Sequence, residues 1–156
     1  MSDVTMVSII IPFLNEKEGI RDVLSTIRQY HLKRKFDFEI IFVDDGSKDG
    51  TAEIIKNNQP FPFGCKLISL SNNFGAHAAV RAGFYNATGK YCTCLPADLQ
   101  ISFDALEKLY AAVSAHRDIA FGVREINEIG IGEKIFSRLY ALMMQRFVNK
   151  KSNSHY

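Results

Sequence analysis

The sequence predicts an α/β domain in which a mostly parallel sheet is flanked by helices. Short apolar runs alternate with helical patterns along the chain, an alternation typical of sheets built from β-α-β units. Several of these runs are apolar on both faces, as expected of strands that helices cover on each side. We therefore expect the order βαβαβαβα, with right-handed crossovers.

Five apolar runs are predicted as strands, at residues 7–11, 38–43, 66–70, 91–95 and 119–123. Amphipathic helices are predicted over residues 20–27 and 106–113, and further helices near 51–56 and 76–87. Asn15 with Glu18 is a predicted capping pair, and Ser102 is a predicted N-cap. Gly83 lies inside the third helix, where it costs about 1 kcal/mol relative to Ala unless something packs against it.

Composition indicates one ordinary soluble domain. The chain has 156 residues, of which 47% are hydrophobic and 23% charged. Nineteen Lys and Arg against 17 Asp and Glu give a net charge of +2, which provides no electrostatic case for nucleic-acid binding. We assign residues 1–132 to the predicted domain and residues 133–156 to a separate basic tail.

Cysteine usage indicates a reduced, cytosolic setting. Cys65, Cys92 and Cys94 are too few and too unevenly spaced for a disulfide framework or a C-x-x-C zinc pair. Cys92 and Cys94 share one face of a predicted strand, where we expect them to pack as small hydrophobic side chains. We expect neither a signal sequence nor a membrane span, which requires roughly 18 apolar residues.

Ligands of open α/β sheets bind beyond the carboxyl ends of the strands, so the loops there are the candidate site. The first, Pro12-Phe13-Leu14-Asn15-Glu16, contains no glycine, which excludes a dinucleotide-binding turn and a P-loop. Pro12 fixes the chain direction, Phe13 or Leu14 could lie against a base, and Glu16 stands at a helix start where negative charge is favoured. A capped helix start with no ligand explains these residues equally well.

Asp44 and Asp45 directly follow the second apolar run. A carboxylate at this position suits hydrogen bonding to a ribose hydroxyl or to the N–H edge of a pyrimidine or guanine. The sequence Asp-Gly-Ser is also good turn chemistry and could cap the helix predicted at residues 51–56. On these residues alone, both interpretations stay open.

Asp98 and Gln100 follow the fourth run, in the segment PADLQ. Side chains two apart on extended chain project the same way, here toward the carboxyl edge of the sheet. Mg²⁺ or Mn²⁺ that holds a nucleoside diphosphate takes oxygen ligands from one or two protein side chains, which these residues can supply. The alternative is a surface turn.

Taken together, the sequence resembles the family 2 inverting glycosyltransferases in four ordered segments: VSIIIPFLNE, EIIFVDDGSKDGT, LSNNFGAHAAVRAGFYNATGKY and PADLQ. The likeness runs from about Val7 to Val148 and is greatest to the bacterial branch near polyprenyl-phosphate sugar transferases. It implies the Rossmann-like GT-A nucleotide-sugar-binding fold. It also implies transfer of a sugar, with inversion, from a UDP- or GDP-sugar to a polyprenyl phosphate or a growing cell-surface glycan.

The resemblance also implies a site at the positions that match its motifs. The implied substrate-binding residues are Pro12, Leu14, Glu16, Asp44, Asn73, Gly75, Arg81, Ala97 and Asp98. Those of the first loop would lie along the nucleoside, and Asp44 would bind the base or ribose. Those of the third loop and the following helix would approach the nucleotide or its diphosphate. Asp98 and Gln100 would ligate the divalent cation.

The sequence departs from the family pattern in two ways. Pro96 stands where the family commonly has the first acidic residue of an Asp-x-Asp motif, so Asp98 would rely on Gln100, diphosphate oxygens and water. Inverting transfer needs a carboxylate base, and no residue matches one. The base is therefore expected beyond Tyr156.

The tail carries an apolar stripe with basic residues around it. The stripe consists of Ile135, Phe136, Leu139, Tyr140, Met143 and Phe147. From residue 134 onward there is no acidic residue. Such a basic amphipathic helix can lie in a membrane interface, which implies a peripheral place at the cytoplasmic face of the membrane. Packing against another part of the enzyme is the alternative.

Two other classes of protein are alternatives to the interpretation as a transferase. A truncated relative could bind a nucleotide-sugar or a partner protein without turnover, which Pro96 and the missing base favour. Sugar nucleotidylyltransferases share the general architecture but open with a Gly-rich phosphate loop, which this chain lacks.

Overall fold

A computed structural model describes residues 6–98, 103–115 and 119–120. The strands are β1 (Met6–Phe13), β2 (Asp37–Asp44), β3 (Gly64–Ser69) and β4 (Tyr91–Cys94). The helices are α1 (Ile20–Lys33), α2 (Thr51–Asn57), α3 (Ala76–Tyr85) and α4 (Phe103–Ser114). The predicted alternation is confirmed over these eight elements. Most of the predicted fifth strand lies outside the described residues, as does the predicted cap Ser102, while Ile119 and Ala120 are described without strand structure.

The four strands form one parallel sheet in the order β3-β2-β1-β4. The central strands β1 and β2 are buried along almost their whole length, whereas β3 and β4 are only partly buried. This matches the sequence, because the runs of β1 and β2 are apolar at successive positions and require cover on both faces. The carboxyl ends of all four strands therefore meet at one edge of the sheet.

Each face of the sheet has its own hydrophobic cluster. The larger joins β1 and β2 to α1, α2 and α4, and Tyr30 of α1 stacks on Phe103 of α4 with ring centroids 4.2 Å apart. The smaller joins Ile10, Ile41 and Val43 to Ala79 of α3. Helices thus cover both faces, and their connections to the strands place four loops at the carboxyl edge.

Gly83 is explained by a close approach of α3 to the sheet. A Cβ added at this position would lie 2.4 Å from Cγ2 of Ile10, which is fully buried in β1. Only a residue without a side chain allows this distance. The packing offsets the helix-propensity cost of the glycine, as the sequence required.

Strand β1 extends two residues beyond its predicted end and includes Pro12. The N–H of Leu95 donates to the C=O of Ile10 at 2.9 Å, so the backbone of Ile10 faces β4. Pro12 is two residues further on and faces the same side, where pairing with β4 has ended at Cys94. A proline fits here because the β1–β4 ladder needs no further donor.

Two local predictions are wrong. Helix α1 begins at Ile20 after Gly19, with no side-chain cap, so Asn15 and Glu18 are not its capping pair. Asn15 instead has a positive φ of 54° and bonds to another loop. Cys92 is exposed rather than packed as a small hydrophobic side chain, because β4 is an edge strand of the described sheet, whereas Cys94 is partly buried.

Candidate functional site

The first and second loops at the carboxyl edge are joined through Asn15. Its N–H donates to Oγ of Ser47 at 2.9 Å, and its side-chain Oδ1 accepts from the N–H of Lys48 at 2.9 Å. The left-handed backbone of Asn15 turns the chain so that both bonds form, a conformation that Asn tolerates better than most residues. The two loops therefore hold each other in place.

Two further bonds join the same loops at the start of α2. The N–H of Glu16 donates to Oγ1 of Thr51 at 3.0 Å, and the N–H of Lys17 donates to Oδ2 of Asp49 at 2.9 Å. Asp49 also accepts from the N–H and the hydroxyl of Thr51, and the hydroxyl bond is the main cause that lowers the pKa of Asp49. The segment DDGSKDGT thus forms a turn that is bonded to the first loop.

Asp44 ends β2 and is buried, with 5% of its surface exposed. Its Oδ1 accepts from the N–H of Ser47 at 2.8 Å, which is the turn geometry that Asp-Gly-Ser predicts. Its C=O accepts from the N–H of Leu70, where the third loop begins. The turn interpretation is therefore confirmed for one carboxylate oxygen, and it does not exclude a ligand at Oδ2.

Asp45 joins the second loop to the third. It is 4% exposed, and its two carboxylate oxygens accept separately from the N–H groups of Phe74 and Gly75, each at 2.8 Å. The N–H of Gly75 also donates to Oδ1 of Asn73 at 3.0 Å. Gly75 has a φ of 89°, which favours glycine and sets the direction in which α3 starts.

The backbones of these two loops also touch at Gly46. A Cβ on Gly46 would lie 2.6 Å from the carbonyl carbon of Asn72 and 2.8 Å from the nitrogen of Asn73, and its φ is 81°. Both the conformation and the contact require glycine. Loops one, two and three therefore form one connected rim, which we call the loop rim (residues 14–17, 44–51 and 70–75).

The fourth loop follows β4 beside β1. Leu95 and Ala97 are buried, and Asp98 is exposed on a turn. Gln100 lies outside the described residues. The topology places Asp98 after the strand next to β1, at the same edge of the sheet as the loop rim.

Only some of the site residues predicted from the sequence lie at the loop rim. Those of the first three loops belong to or adjoin the loop rim: Pro12, Leu14, Glu16, Asp44, Asn73 and Gly75. Arg81 lies exposed on α3 and makes no hydrogen bond or ion pair with the described residues. Its approach to the diphosphate stays a prediction, as do the roles of Ala97 and Asp98.

Sequence reasoning did not find how Asp45, Ser47, Asp49 and Thr51 hold the rim. The signal that could have identified them is the density of short polar side chains in DDGSKDGT. Such side chains bond to neighbouring backbone groups more readily than long ones do. The partners in the first and third loops are about 30 residues away along the chain, so local pattern could not identify them.

Asp98 has suitable ligand atoms for the divalent cation that the family resemblance implies. Asp98 offers carboxylate oxygen, which Mg²⁺ and Mn²⁺ prefer. Over residues 6–98, 103–115 and 119–120 there is no group of three or more His, Cys, Asp or Glu side chains that could hold a metal ion. A cation at Asp98 would therefore depend on ligand oxygens and water in addition to the protein.

One cavity of about 240 Å³ lies away from the loop rim, between β4 and α4. Its walls include Tyr91, Tyr110 and Val113, and they are largely apolar. It contains none of the predicted site residues, so it does not compete with the rim as the candidate site.

Comparison with known proteins identifies the family. The model of the family described as "Glycosyl transferase family 2" matches residues 8–155. The chain belongs to glycosyl transferase family 2. This confirms the resemblance in the four sequence segments.

The similar curated proteins are transferases about twice as long as this chain. The undecaprenyl-phosphate 4-deoxy-4-formamido-L-arabinose transferase of Aeromonas hydrophila is 31% identical over 147 residues, covering 93% of this chain and 45% of that protein. The transferase of the same name from Salmonella choleraesuis is 31% identical over 145 residues, covering 92% and 44%. The chain therefore spans slightly less than half the length of these relatives.

Solved structures confirm the GT-A fold. A mannosyltransferase of Pyrobaculum calidifontis in complex with GDP-Man and Mn²⁺ matches with a TM-score of 0.54 at 23% identity, over 62% of this chain and 28% of that one. S. aureus TarS 1–349 in complex with UDP-GlcNAc matches with a TM-score of 0.60 at 22% identity, over 79% and 37%. At these identities the likeness concerns the fold.

Several predictions fall outside the described residues. They include the tail helix and the domain boundary between residues 132 and 133. Within the described ranges, no helix has the length and apolar character needed to cross a membrane.

Proposed function

We propose that this chain is the donor-binding portion of a glycosyltransferase that takes a sugar from a nucleoside-diphosphate sugar. The observation that carries this proposal is the connected loop rim at the carboxyl edge of the sheet. Three loops from separate strands are bonded to one another there, as a preorganised ligand site requires. Family membership supports the choice of ligand.

The proposed roles follow from where each residue lies. Pro12 and Leu14 would line the nucleoside, and Glu16 would lie beside them at the rim. Asp44 would bind the base or the ribose through Oδ2, because Oδ1 already accepts from the N–H of Ser47. A buried carboxylate held this way keeps a fixed orientation, which favours one geometry of the ligand.

The diphosphate would lie toward Asn73, Gly75 and Arg81, with Asp98 and Gln100 holding Mg²⁺ or Mn²⁺ near it. A bound cation would offset the negative charge that develops on the departing diphosphate. The complex of the mannosyltransferase relative with GDP-Man and Mn²⁺ supports this choice of cofactor.

Inversion would require a carboxylate that removes the acceptor proton as the acceptor attacks the sugar. Among the described residues, Asp104 is an exposed acid in the first turn of α4 rather than part of the rim. We therefore place the base outside the described residues.

The acceptor would be a lipid phosphate or a growing glycan. The similar curated proteins are undecaprenyl-phosphate 4-deoxy-4-formamido-L-arabinose transferases, which supports a polyprenyl phosphate. Such an acceptor implies a cytoplasmic protein that lies peripherally on the membrane, with the basic tail at residues 133–156 in the interface. The activity would contribute to cell-envelope biogenesis.

Thermal unfolding tests donor binding. At a nucleotide concentration a hundred times Kd, binding adds about 2.7 kcal/mol of stability and raises Tm by roughly 5–10 °C for a domain of this size. We expect this rise with UDP or GDP in the presence of Mn²⁺. Asp98→Asn should remove the Mn²⁺-dependent part, while Asp22→Asn, at an exposed acid on α1, should keep it. Unchanged Tm with every nucleoside diphosphate would contradict the proposal.

The second candidate is a nucleotide-sugar-binding module without turnover, or one that binds a partner protein. Pro96 in place of an acidic residue favours it, because the fourth loop then contributes one fewer carboxylate. Release of nucleoside diphosphate from a UDP- or GDP-sugar, measured with and without a polyprenyl phosphate, separates the two. Acceptor-dependent release would exclude the binding module.

A further inference from the structure

Asp44 has one engaged and one open carboxylate oxygen. The residue is 5% exposed, and its Oδ1 accepts from the N–H of Ser47 at 2.8 Å. Its Oδ2 accepts no hydrogen bond from the part of the chain that the structure describes. Within that part, the fully buried side-chain atoms without a partner are the hydroxyl of Tyr30 and Nδ1 of His31, so Oδ2 of Asp44 contacts solvent. A mostly buried carboxylate with one open oxygen favours a ligand that donates to it.

The other two acids of the second loop are fully engaged. Each oxygen of Asp45 accepts from a backbone N–H of the third loop. One oxygen of Asp49 accepts from Thr51, and the other accepts from a backbone N–H of the first loop. Neither acid can serve as a second acceptor without losing a bond that holds the loop rim together. The second loop therefore presents a single carboxylate oxygen to a ligand.

The surroundings of this oxygen suit the flat ring of a base better than a ribose. Strand register places Asp44 beside Phe13 at the end of β1. Pro12 and Leu14, on either side of Phe13 in the chain, are half-buried and apolar. Apolar side chains with one well-placed polar group are typical of sites for flat ring systems. The open oxygen is thus better placed for an N–H of the base than for a ribose hydroxyl.

A single open oxygen discriminates among the bases. Guanine presents an imino N–H beside an amino N–H, and this pair matches both oxygens of one carboxylate. Uracil and thymine present one imino N–H between two carbonyl groups, whose oxygens would oppose a second carboxylate oxygen. Cytosine and adenine present a ring-nitrogen lone pair at this edge, which a carboxylate repels. One open oxygen therefore fits the edge that uracil and thymine share.

We propose that Asp44 selects a donor whose base carries this edge, a sugar nucleotide of uridine or thymidine diphosphate. The inference rests on the proposed function and adds to it the class of base. Guanine would leave one N–H without an acceptor beside a buried carboxylate, which should weaken binding about tenfold or more.

Isothermal titration calorimetry of the 156-residue chain in the presence of Mg²⁺ measures this selection. The Kd of UDP or dTDP should be at least about tenfold lower than those of GDP, CDP and ADP. UDP and dTDP share the edge that Asp44 would read, so the tighter of the two identifies the natural base.

Modified nucleotides test the contact in the wild-type chain. In 3-methyl-UDP a methyl group replaces the imino hydrogen, and we expect it to bind at least about tenfold more weakly than UDP. The nucleotide 2′-deoxy-UDP keeps the imino N–H and lacks one ribose hydroxyl. It should lose much less affinity than 3-methyl-UDP does.

The variant Asp44→Asn should reverse the preference between UDP and CDP. Its amide oxygen can keep the bond from the N–H of Ser47, and its amide N–H group then replaces Oδ2 and donates to the N3 lone pair of cytosine. We expect weaker binding of UDP and tighter binding of CDP, which a loss of structure does not produce. Asp22→Asn, at an exposed acid on α1, is the matched control and should leave both Kd values unchanged.

Three results would overturn selection by Asp44. The first is a Kd of GDP equal to or lower than those of UDP and dTDP. The second is equal binding of UDP and 3-methyl-UDP. The third is a larger loss with 2′-deoxy-UDP than with 3-methyl-UDP, which would assign the open oxygen to the ribose. In each case a nucleoside diphosphate still binds, so the proposed function stands. Absence of binding by every nucleoside diphosphate would contradict the proposed function and this inference together.

Discussion

Replacing Glu39 by Gln should destabilise the protein in a pH-dependent way. Glu39 lies inside β2 with its side chain only 6% exposed. Oε1 accepts from the hydroxyl of Ser8 at 2.6 Å and from the N–H and hydroxyl of Thr88 at 2.7 and 2.8 Å. Oε2 pairs with Nζ of Lys66 at 3.0 Å. The carboxylate thus fixes the loop between α3 and β4 to two strands.

The size of the expected loss of stability follows from the pKa of Glu39. Burial alone raises the pKa of Glu39, but hydrogen bonds from Ser8, Thr88 and Lys66 outweigh burial and lower the pKa from 4.5 to about 2. Each tenfold change in proton affinity is worth about 1.4 kcal/mol, so the ionised carboxylate contributes roughly 3 kcal/mol at neutral pH. Because the folded-state pKa is the lower one, this contribution is complete above about pH 4.5 and is lost as pH falls toward 2.

Urea unfolding between pH 7 and pH 3 measures the effect. We expect Glu39→Gln to lower the free energy of unfolding by about 3 kcal/mol at pH 7, and the difference from wild type to shrink as the solution is acidified. Glu53→Gln is the control, because Glu53 is exposed on α2 and should change stability by less than about 0.5 kcal/mol. A difference that stays constant from pH 7 to pH 3 would refute the assignment of a charged, hydrogen-bonded carboxylate.

Two further substitutions test the packing of α3 and the bracing of the rim. Gly83→Ala gains about 1 kcal/mol of helix propensity but forces a methyl group to within 2.4 Å of Ile10, so urea unfolding should show a net loss of roughly 1–2 kcal/mol. The double variant Gly83→Ala with Ile10→Ala should lose less unfolding free energy than the two single variants lose together. Additive losses would contradict the contact between position 83 and Ile10. Asp45→Asn replaces one carboxylate oxygen by an amide N–H group that faces the N–H of Phe74 or Gly75. We expect the free energy of unfolding to fall by about 1–3 kcal/mol, and calorimetry to show weaker nucleotide binding. Unchanged stability and affinity would show that the hydrogen bonds of Asp45 are not needed to hold the second and third loops together.

The architecture was predictable because its signals are local. The apolar runs at β1 and β2 require cover on both faces, and that requirement alone predicts a parallel sheet with helices on each side. Gly83 has a low helix propensity, which indicated that something packs closely against it. In the structure, Ile10 is that neighbour. The position of the candidate site followed from topology, since parallel strands bring their carboxyl ends together.

Features that depend on register or on distant partners were not predictable. Asn15 looked like a helix cap, yet Ser47 and Lys48, more than 30 residues away, supply its bonds. The burial of Glu39 depends on strand register, which places Ser8 opposite it. Cys92 was expected inside, but the exposure of an edge strand depends on the order of strands, which the apolar pattern does not contain.

Amide NMR of the chain, titrated with UDP or GDP in the presence of Mg²⁺, tests most directly whether the loop rim is one nucleotide site. We expect the amide resonances of residues 14–17, 45–48 and 73–75 to shift together and to fit a single Kd, while those of α4 stay in place. Shifts confined to one loop, separate Kd values for the three loops, or no shifts at all would contradict a shared site at the carboxyl edge of the sheet.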